Sequence, residues 1–226
     1  MSNASNVVSA NASIVTALNG GNQCSMLEVP TLELEFPYAH IYSLQAELQQ
    51  RLNTVMDPDG DKAQLAQRLI FWRQCISDEL SEIDEHAPFD TPELQKEAAF
   101  EIIDILHFVF NLGLELGFTA SQIQCASELF LANLRDVVGN SHEEMSHHLQ
   151  RDLSALINCF PWKSWKTYDT LSVRKSTASS VTFPKYCRVL RRVFAFALYF
   201  GIAPEVVPSF YVSKNRHNHE RQDNGY

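Results

Sequence analysis

Two pairs of acidic residues stand at helical spacing in the middle of the chain. Glu79 and Glu82, in the segment DELSE, are three residues apart, and so are Glu101 and Asp104, in EIID. Residues three apart project from the same side of an α-helix. Two helices that packed these sides together would bring four carboxylates into one cluster.

Such a cluster predicts a metal site. Four carboxylates at close quarters cannot all stay ionised unless a cation lies among them. Oxygen-rich sites suit Mg²⁺ or Mn²⁺, which keep some waters and bind substrate phosphates at other positions. Glu101 and Asp104 also lie in FEIIDILHFVFNLGLELGF, a strongly apolar segment in which an unpaired charge is costly. Each pair by itself is also compatible with an ordinary solvent-facing helix.

The elements that would position these acids are helices. Apolar residues recur at i, i+3 and i+4 over most of the chain, which predicts an all-α bundle of about six to seven helices. Residues 1–30, rich in Ser, Asn, Ala and Gly, are predicted to form a flexible tail, and residues 31–226 a single domain. Residues 160–183 are predicted to form a long ordered loop. The predicted helices cover about 37–56, 62–85, 92–117, 121–138, 141–159, 184–201 and a last segment from Pro204.

Composition narrows the class of protein. A chain of 226 residues with 45% apolar content can build one sizeable core. Its net charge of −9 argues against a nucleic-acid partner. Five scattered cysteines without a CxxC pair, no signal-peptide pattern and no apolar stretch of membrane-spanning length predict a cytoplasmic protein without a membrane partner. The predicted third helix is apolar on nearly every side, so other helices must surround it, within a bundle or across a homodimer interface.

Three further stretches, together with the acids, resemble a known family. The two acidic pairs resemble the signature of the all-α nucleoside triphosphate pyrophosphohydrolases. The stretches LQQRLN at 48–53, EIIDILHF at 101–108 and KNRHNHERQDNGY at 214–226 resemble motifs of one branch, the dimeric dUTPases. The last of these has the form KNxxNxxRQxxGY and is the most specific.

The resemblance implies an activity and a role for each residue. It implies hydrolysis of dUTP to dUMP and pyrophosphate, which cleans the nucleotide pool and supplies the precursor of dTMP, with two or more Mg²⁺ (or Mn²⁺) ions per site. Glu79 or Glu82 would be the catalytic glutamate that activates the attacking water. The implied metal ligands are Glu79, Glu82, Glu101 and Asp104. The implied base- or sugar-binding residues are Gln49, Asn53 and His107. The implied triphosphate-binding residues are Lys214, Asn218, Arg221 and Tyr226.

An aromatic-lysine motif stands at an unexpected place. The dimeric dUTPases carry such a motif directly after the first acidic pair, where this chain has HAPFDTPELQKEAAF. Here the matching sequence is Trp162-Lys-Ser-Trp-Lys166. Two interpretations stay open: Trp162 reaches the base by another route, including from the neighbouring subunit, or the two Trp side chains pin a surface loop to the core.

Three other functions compete with dUTP hydrolysis. The same chemistry could act on dCTP, dATP or dGTP. A non-catalytic helical module that binds nucleotides is a second possibility, although the four retained acids argue against it. A di-iron carboxylate bundle is the weakest, because that site needs Glu-x-x-His on two helices, and the sequence offers only Asp104-x-x-His107.

Overall fold

The computed structural model describes residues 34–52, 54, 57–131 and 133–223. Within these residues the fold is all-α and contains no strand, as predicted. The predicted tail at 1–30 lies outside the described residues. The α-helices are α1 (Pro37–Arg51), α2 (Lys62–Glu85), α3 (Pro92–Glu115), α4 (Ala120–Leu131), α5 (His142–Ile157), α6 (Thr170–Ser176), α7 (Ser179–Tyr199) and α8 (Val207–Asp223). Two short 3-10 helices lie at Arg135–Val137 and Pro204–Val206.

The α2–α3 hairpin carries both acidic pairs, and local sequence signals fix its ends. The Asp61 carboxylate accepts hydrogen bonds from two backbone N–H groups at the start of α2, and the Thr91 hydroxyl accepts one from Leu94 at the start of α3. Gly117 has a φ of 72° just after α3, a conformation that glycine adopts at little cost. Because the connection between the helices is short, they run antiparallel, and Glu79 comes to lie opposite Asp104.

Helix α3 is enclosed by helices of its own chain. Thirteen of its residues are buried, and it packs against α1, α2, α7 and α8. The sequence left two ways to cover an apolar helix, a bundle or a subunit interface, and the structure shows the bundle. The burial of α3 therefore gives no support to a homodimer.

Three predicted boundaries were wrong. Helix α1 ends at Arg51 rather than near 56, and α4 ends at Leu131 rather than near 138. The predicted loop at 160–183 contains α6 and the first residues of α7, so the described residues hold eight α-helices.

The error around α7 has a physical reason. Proline is favoured at the first helical position, so Pro184 was interpreted as the helix start, but it lies inside α7. Its missing N–H leaves only the carbonyl of Ser180 without a helical partner, and Ser180 is exposed to water. Helix α6 has a recognisable cap, because the Asp169 carboxylate accepts a hydrogen bond from the backbone N–H of Ser172 at 2.9 Å.

Among the described residues, no single helix has the length and hydropathy that crossing a membrane requires. Two consecutive segments, Ser179–Tyr199 and Pro204–Asp223, reach that length and hydropathy only when taken together, and the chain bends by 102° between them.

Candidate active site

A cavity of about 780 Å³ lies between α1, α2, α3 and α8. Helices α2 and α3 each contribute side chains at three- and four-residue spacing, so one face of each helix forms a wall. The α2 wall includes Arg68, Trp72, Cys75 and Glu79, and the α3 wall consists of Asp104, His107, Phe108, Asn111 and Glu115. Because the two helices are antiparallel, the acids Glu79 and Asp104 lie at one end of the cavity and Arg68 and Glu115 at the other.

The predicted acids come together at that first end. Glu79, Glu82 and Glu101 each offer a carboxylate oxygen within 4.8 Å of the others. Asp104 lies beside them, and its Oδ2 is 2.5 Å from Nζ of Lys214. The structure thus joins the two acidic pairs across the hairpin, as the helical spacing predicted.

The acids repel one another strongly. Burial and the charges of Asp104 and Glu82 raise the pKa of Glu79 to about 8. Burial also raises the pKa of Asp104, while Lys214 acts in the opposite direction. Carboxylates that resist ionisation because their neighbours are also acidic are stabilised in the ionised form by a divalent cation. The four side chains therefore fit a Mg²⁺ or Mn²⁺ site by donor type and by electrostatics.

Binding of Mg²⁺ should stabilise the folded protein, and more so at alkaline pH. A carboxyl with a raised pKa contributes stability below pH 4.5 that is lost as the pH rises to about 8, because its ionised form is disfavoured in the folded state. Metal binding requires the ionised form and so competes with the proton. A fixed Mg²⁺ concentration should raise Tm more at pH 8.5 than at pH 6, measured by thermal unfolding monitored by circular dichroism. An equal rise at both pH values, or the same rise in Glu79→Gln, would contradict this.

His107 lines the cavity and has one ring nitrogen without a hydrogen-bond partner. Its Nδ1 donates to the backbone oxygen of Ile103 at 2.8 Å, and its buried Nε2 has no protein partner. Burial lowers the pKa of His107 to about 4, so the ring is neutral at physiological pH. The ring stacks on Tyr211, with centroids 4.0 Å apart and an angle of 13° between the planes. The sequence predicted a contact with sugar or base here, and the unpaired nitrogen is suited to one.

Gln49 presents a second unpaired acceptor. It lines the cavity, is 5% exposed, and its buried Oε1 has no hydrogen-bond partner. A buried polar atom without a partner is costly, so a ligand donor at this place would be stabilising. Asn53, predicted to read the base beside Gln49, lies outside the described residues.

A buried polar chain next to these acceptors was missed by sequence reasoning. Gln45 Nε2 donates to Asn111 Oδ1 at 2.7 Å, and the Tyr211 hydroxyl donates to Gln45 Oε1 at 2.6 Å. The chain links α1, α3 and α8 at the cavity wall, where Gln45 and Asn111 are both lining residues. The sequence did contain one indication of this chain, because Gln45 and Asn111 are polar residues at positions where the helical pattern of α1 and α3 is otherwise apolar.

Lys214, Asn218 and Arg221 line the cavity from one face of α8. Their four- and three-residue spacing corresponds to a common helical face, and α8 continues as a helix to Asp223. Arg51 holds α8 against α1, through an ion pair with Asp223 and a contact of 3.1 Å with Nδ1 of His219. The predicted phosphate-binding face is therefore part of a packed helix. Tyr226, the last predicted residue of this motif, lies outside the described residues.

Trp162 does not belong to the cavity lining of its own chain. Its Nε1 donates to Asn158 Oδ1 at 3.1 Å, and its ring packs 5.7 Å from that of Trp165. Lys163 Nζ lies 5.2 Å from the centre of the Trp162 ring. Within one chain the loop is thus pinned next to α5, and the interpretation that Trp162 reaches the base by an intrachain route was wrong. A contact from a neighbouring subunit stays a prediction.

The aromatic wall of the cavity comes from other residues. Trp72 and Phe108 stack with centroids 6.0 Å apart and 27° between the planes, and Phe71 lies beside Trp72 at 4.9 Å. Trp72 has the helical spacing of the other buried residues of α2, and spacing alone cannot separate a core ring from a cavity ring. A flat apolar surface of this kind is suited to a nucleobase.

The comparison with known families accords with this site. A family model described as dUTPase matches residues 39–226, a span that includes both acidic pairs and the C-terminal motif. The chain belongs to the all-α, dimeric dUTPase family. It is therefore a nucleoside triphosphate pyrophosphohydrolase, as the sequence predicted, rather than a non-catalytic module. No curated protein and no solved structure matches the chain.

Proposed function

We propose that this member of the dUTPase family hydrolyses dUTP to dUMP and pyrophosphate with Mg²⁺. The observation that carries the proposal is the acidic cluster of Glu79, Glu82 and Glu101, within 4.8 Å of one another, at the end of a cavity large enough for a nucleotide. The carboxylates and a triphosphate are both negatively charged, so the triphosphate can bind there only if metal cations lie between the two groups. The cations Lys214 and Arg221 of α8, which also line the cavity, would supply further positive charge for the phosphates.

The residues divide the chemical work among them. Glu79, Glu82, Glu101 and Asp104 would hold two or more Mg²⁺ ions. When bound, such ions lower the pKa of water and neutralise charge on phosphate oxygens. Glu79 lines the cavity, whereas Glu82 does not, so Glu79 is the better placed to accept a proton from the attacking water. Lys214 and Arg221 would stabilise the negative charge that develops on the departing pyrophosphate.

The two unpaired acceptors suit the donors of a deoxynucleoside. Gln49 Oε1 and His107 Nε2 both lack partners, and both residues line the cavity. A deoxynucleoside offers a sugar hydroxyl and, in uracil, the ring N3–H. We propose that these groups meet the two acceptors, while the base lies against Trp72 and Phe108.

A nucleotide panel tests the function directly. The purified chain is mixed with dUTP, dTTP, dCTP, dATP or dGTP in the presence of MgCl₂, and pyrophosphate and nucleoside monophosphate are quantified. We expect the highest kcat/KM with dUTP, formation of dUMP and pyrophosphate in equal amounts, and no turnover after addition of EDTA. Absence of pyrophosphate from every nucleotide, or turnover that survives EDTA, would overturn the proposal. A preference for another base would keep the chemistry and reject the substrate.

We also propose that the enzyme is a cytoplasmic homodimer. Support for the compartment comes from the four cysteines among the described residues, which are all unpaired thiols. Support for self-association comes from the family to which the chain belongs, the dimeric dUTPases. Sedimentation equilibrium at micromolar concentration should give twice the chain mass of 25.7 kDa. A stable monomer under these conditions would reject the dimer.

A further inference from the structure

A partly buried ion pair lies at the end of the cavity opposite the acids. Arg68 Nε donates to Glu115 Oε2 at 2.8 Å, and the side chain of Glu115 is only 1% exposed. The second Glu115 oxygen accepts from Nε1 of Trp72 at 3.4 Å, and Arg68 Nη2 donates to the backbone oxygen of Asp57 at 3.0 Å. All of these side chains except Asp57 line the cavity.

The ion pair and the acids are separated along helix α3. Glu115 is eleven residues after Asp104 in the same helix, which corresponds to about 16 Å at roughly 1.5 Å per residue. Between these ends the wall changes from carboxylates through His107 to the rings of Trp72 and Phe108. A nucleotide whose α-phosphorus lies at the acids therefore directs its base along the aromatic wall, toward Arg68.

The far end of a pyrimidine carries the group that distinguishes uracil from cytosine. In the ring, C4 lies opposite N1, the atom bound to the sugar, so the C4 substituent points farthest from the phosphates. In uracil and thymine this substituent is a keto oxygen, which accepts hydrogen bonds. In cytosine it is an amino group, which donates them.

We propose that Arg68 is a specificity-determining residue that donates to the 4-keto oxygen of the base. A guanidinium has N–H donors and no acceptor, so it can bond to a keto oxygen and can only repel an amino group. Arg68 Nε is held by Glu115 and Nη2 by the backbone oxygen of Asp57. The guanidinium is therefore already oriented before a base binds, so binding requires little further loss of side-chain entropy. Glu115 is thus a positioning residue that acts through Arg68. The inference rests on the proposed function, because it requires the nucleotide to be held by the acids.

The test compares Arg68→Met with the unaltered enzyme on dUTP, dTTP and dCTP. Loss of one charge-assisted hydrogen bond should lower kcat/KM for both keto substrates by a common factor, on the order of tenfold or more. The value for dCTP should stay unchanged or rise, and the loss on dUTP should appear mainly in KM. Arg73→Met is the matched control, since Arg73 lies on the same helix but outside the cavity lining, and should change none of the three values.

A second variant guards against misfolding. Arg68→Met leaves the Glu115 carboxylate buried without its cation, whereas Arg68→Met with Glu115→Gln removes that charge and keeps an oxygen for Trp72. Both should show the same loss of keto preference. If the ratio of kcat/KM for dUTP to kcat/KM for dCTP is unchanged in a folded variant, Arg68 does not have the proposed role. That result would leave the proposed dUTP hydrolysis intact. If the unaltered enzyme releases no pyrophosphate from dUTP, the proposed function itself fails.

Discussion

Glu82→Gln and Asp104→Asn should each abolish pyrophosphate release while leaving the helical content unchanged. Both substitutions remove a negative charge and keep the size of the side chain. Metal ions contribute several kcal/mol to stabilising charge in such transition states, so weakened metal binding should lower kcat by roughly a thousandfold or more. Steady-state kinetics with dUTP and far-UV circular dichroism would measure the two effects.

The matched control for these variants lies next to the cluster. Asp78 is an exposed carboxylate on α2, adjacent to Glu79 in sequence, and its Oδ1 accepts a surface hydrogen bond from Gln74 at 3.1 Å. Asp78→Asn removes the same charge from the same helix and should retain near-normal turnover. Near-normal activity in both Glu82→Gln and Asp104→Asn would reject these residues as metal ligands.

The second large effect is expected at α8. Lys214→Ala and Arg221→Ala should each lower kcat/KM by about tenfold or more, because each removes a charge-assisted contact with the triphosphate. The double variant should lose about a hundredfold if the two contacts are independent. Since phosphates are common to all nucleotides, the loss should be similar for every accepted substrate. Measuring kcat/KM across the nucleotide panel would separate this effect from the base-dependent effect at Arg68.

Arg216 provides the control on the same helix. It is exposed and does not line the cavity, so Arg216→Ala should have little effect. Deletion of residues 214–226 should remove most activity. Full activity of that truncated chain with an unchanged KM would show that α8 does not bind the phosphates.

Local sequence rules were sufficient for the helices that carry the acids. Asp61 and Thr91 cap α2 and α3 through hydrogen bonds that depend only on neighbouring residues, so the spacing of Glu79, Glu82, Glu101 and Asp104 could be interpreted directly. The common face of Lys214, Asn218 and Arg221 was predictable for the same reason. In each case the relevant geometry spans no more than one helix and its neighbour in the hairpin.

The parts that were not predicted depend on contacts between distant segments. Gln45 and Tyr211, which are hydrogen-bonded, are 166 residues apart in the sequence. Arg68 and Glu115 are 47 residues apart. Neither pairing can be predicted from a local sequence pattern. Trp72 follows the same helical spacing as a core residue, so its place beside a cavity appears only when α2 and α3 are packed. Pro184 was misleading because a helix can tolerate proline near its start when the orphaned carbonyl reaches water.

The ion pair between Lys214 and Asp104, at 2.5 Å, has a consequence for the order of events. If Asp104 is a metal ligand as proposed, Lys214 neutralises its charge in the absence of metal. A metal ion that binds Asp104 would then release Lys214 to bind a phosphate. Conversely, a triphosphate that attracts the lysine leaves Asp104 more available to the metal. Metal and nucleotide should therefore bind cooperatively, each raising the affinity of the other by the same factor. The Mg²⁺ concentration needed for half-saturation should fall as the nucleotide concentration rises.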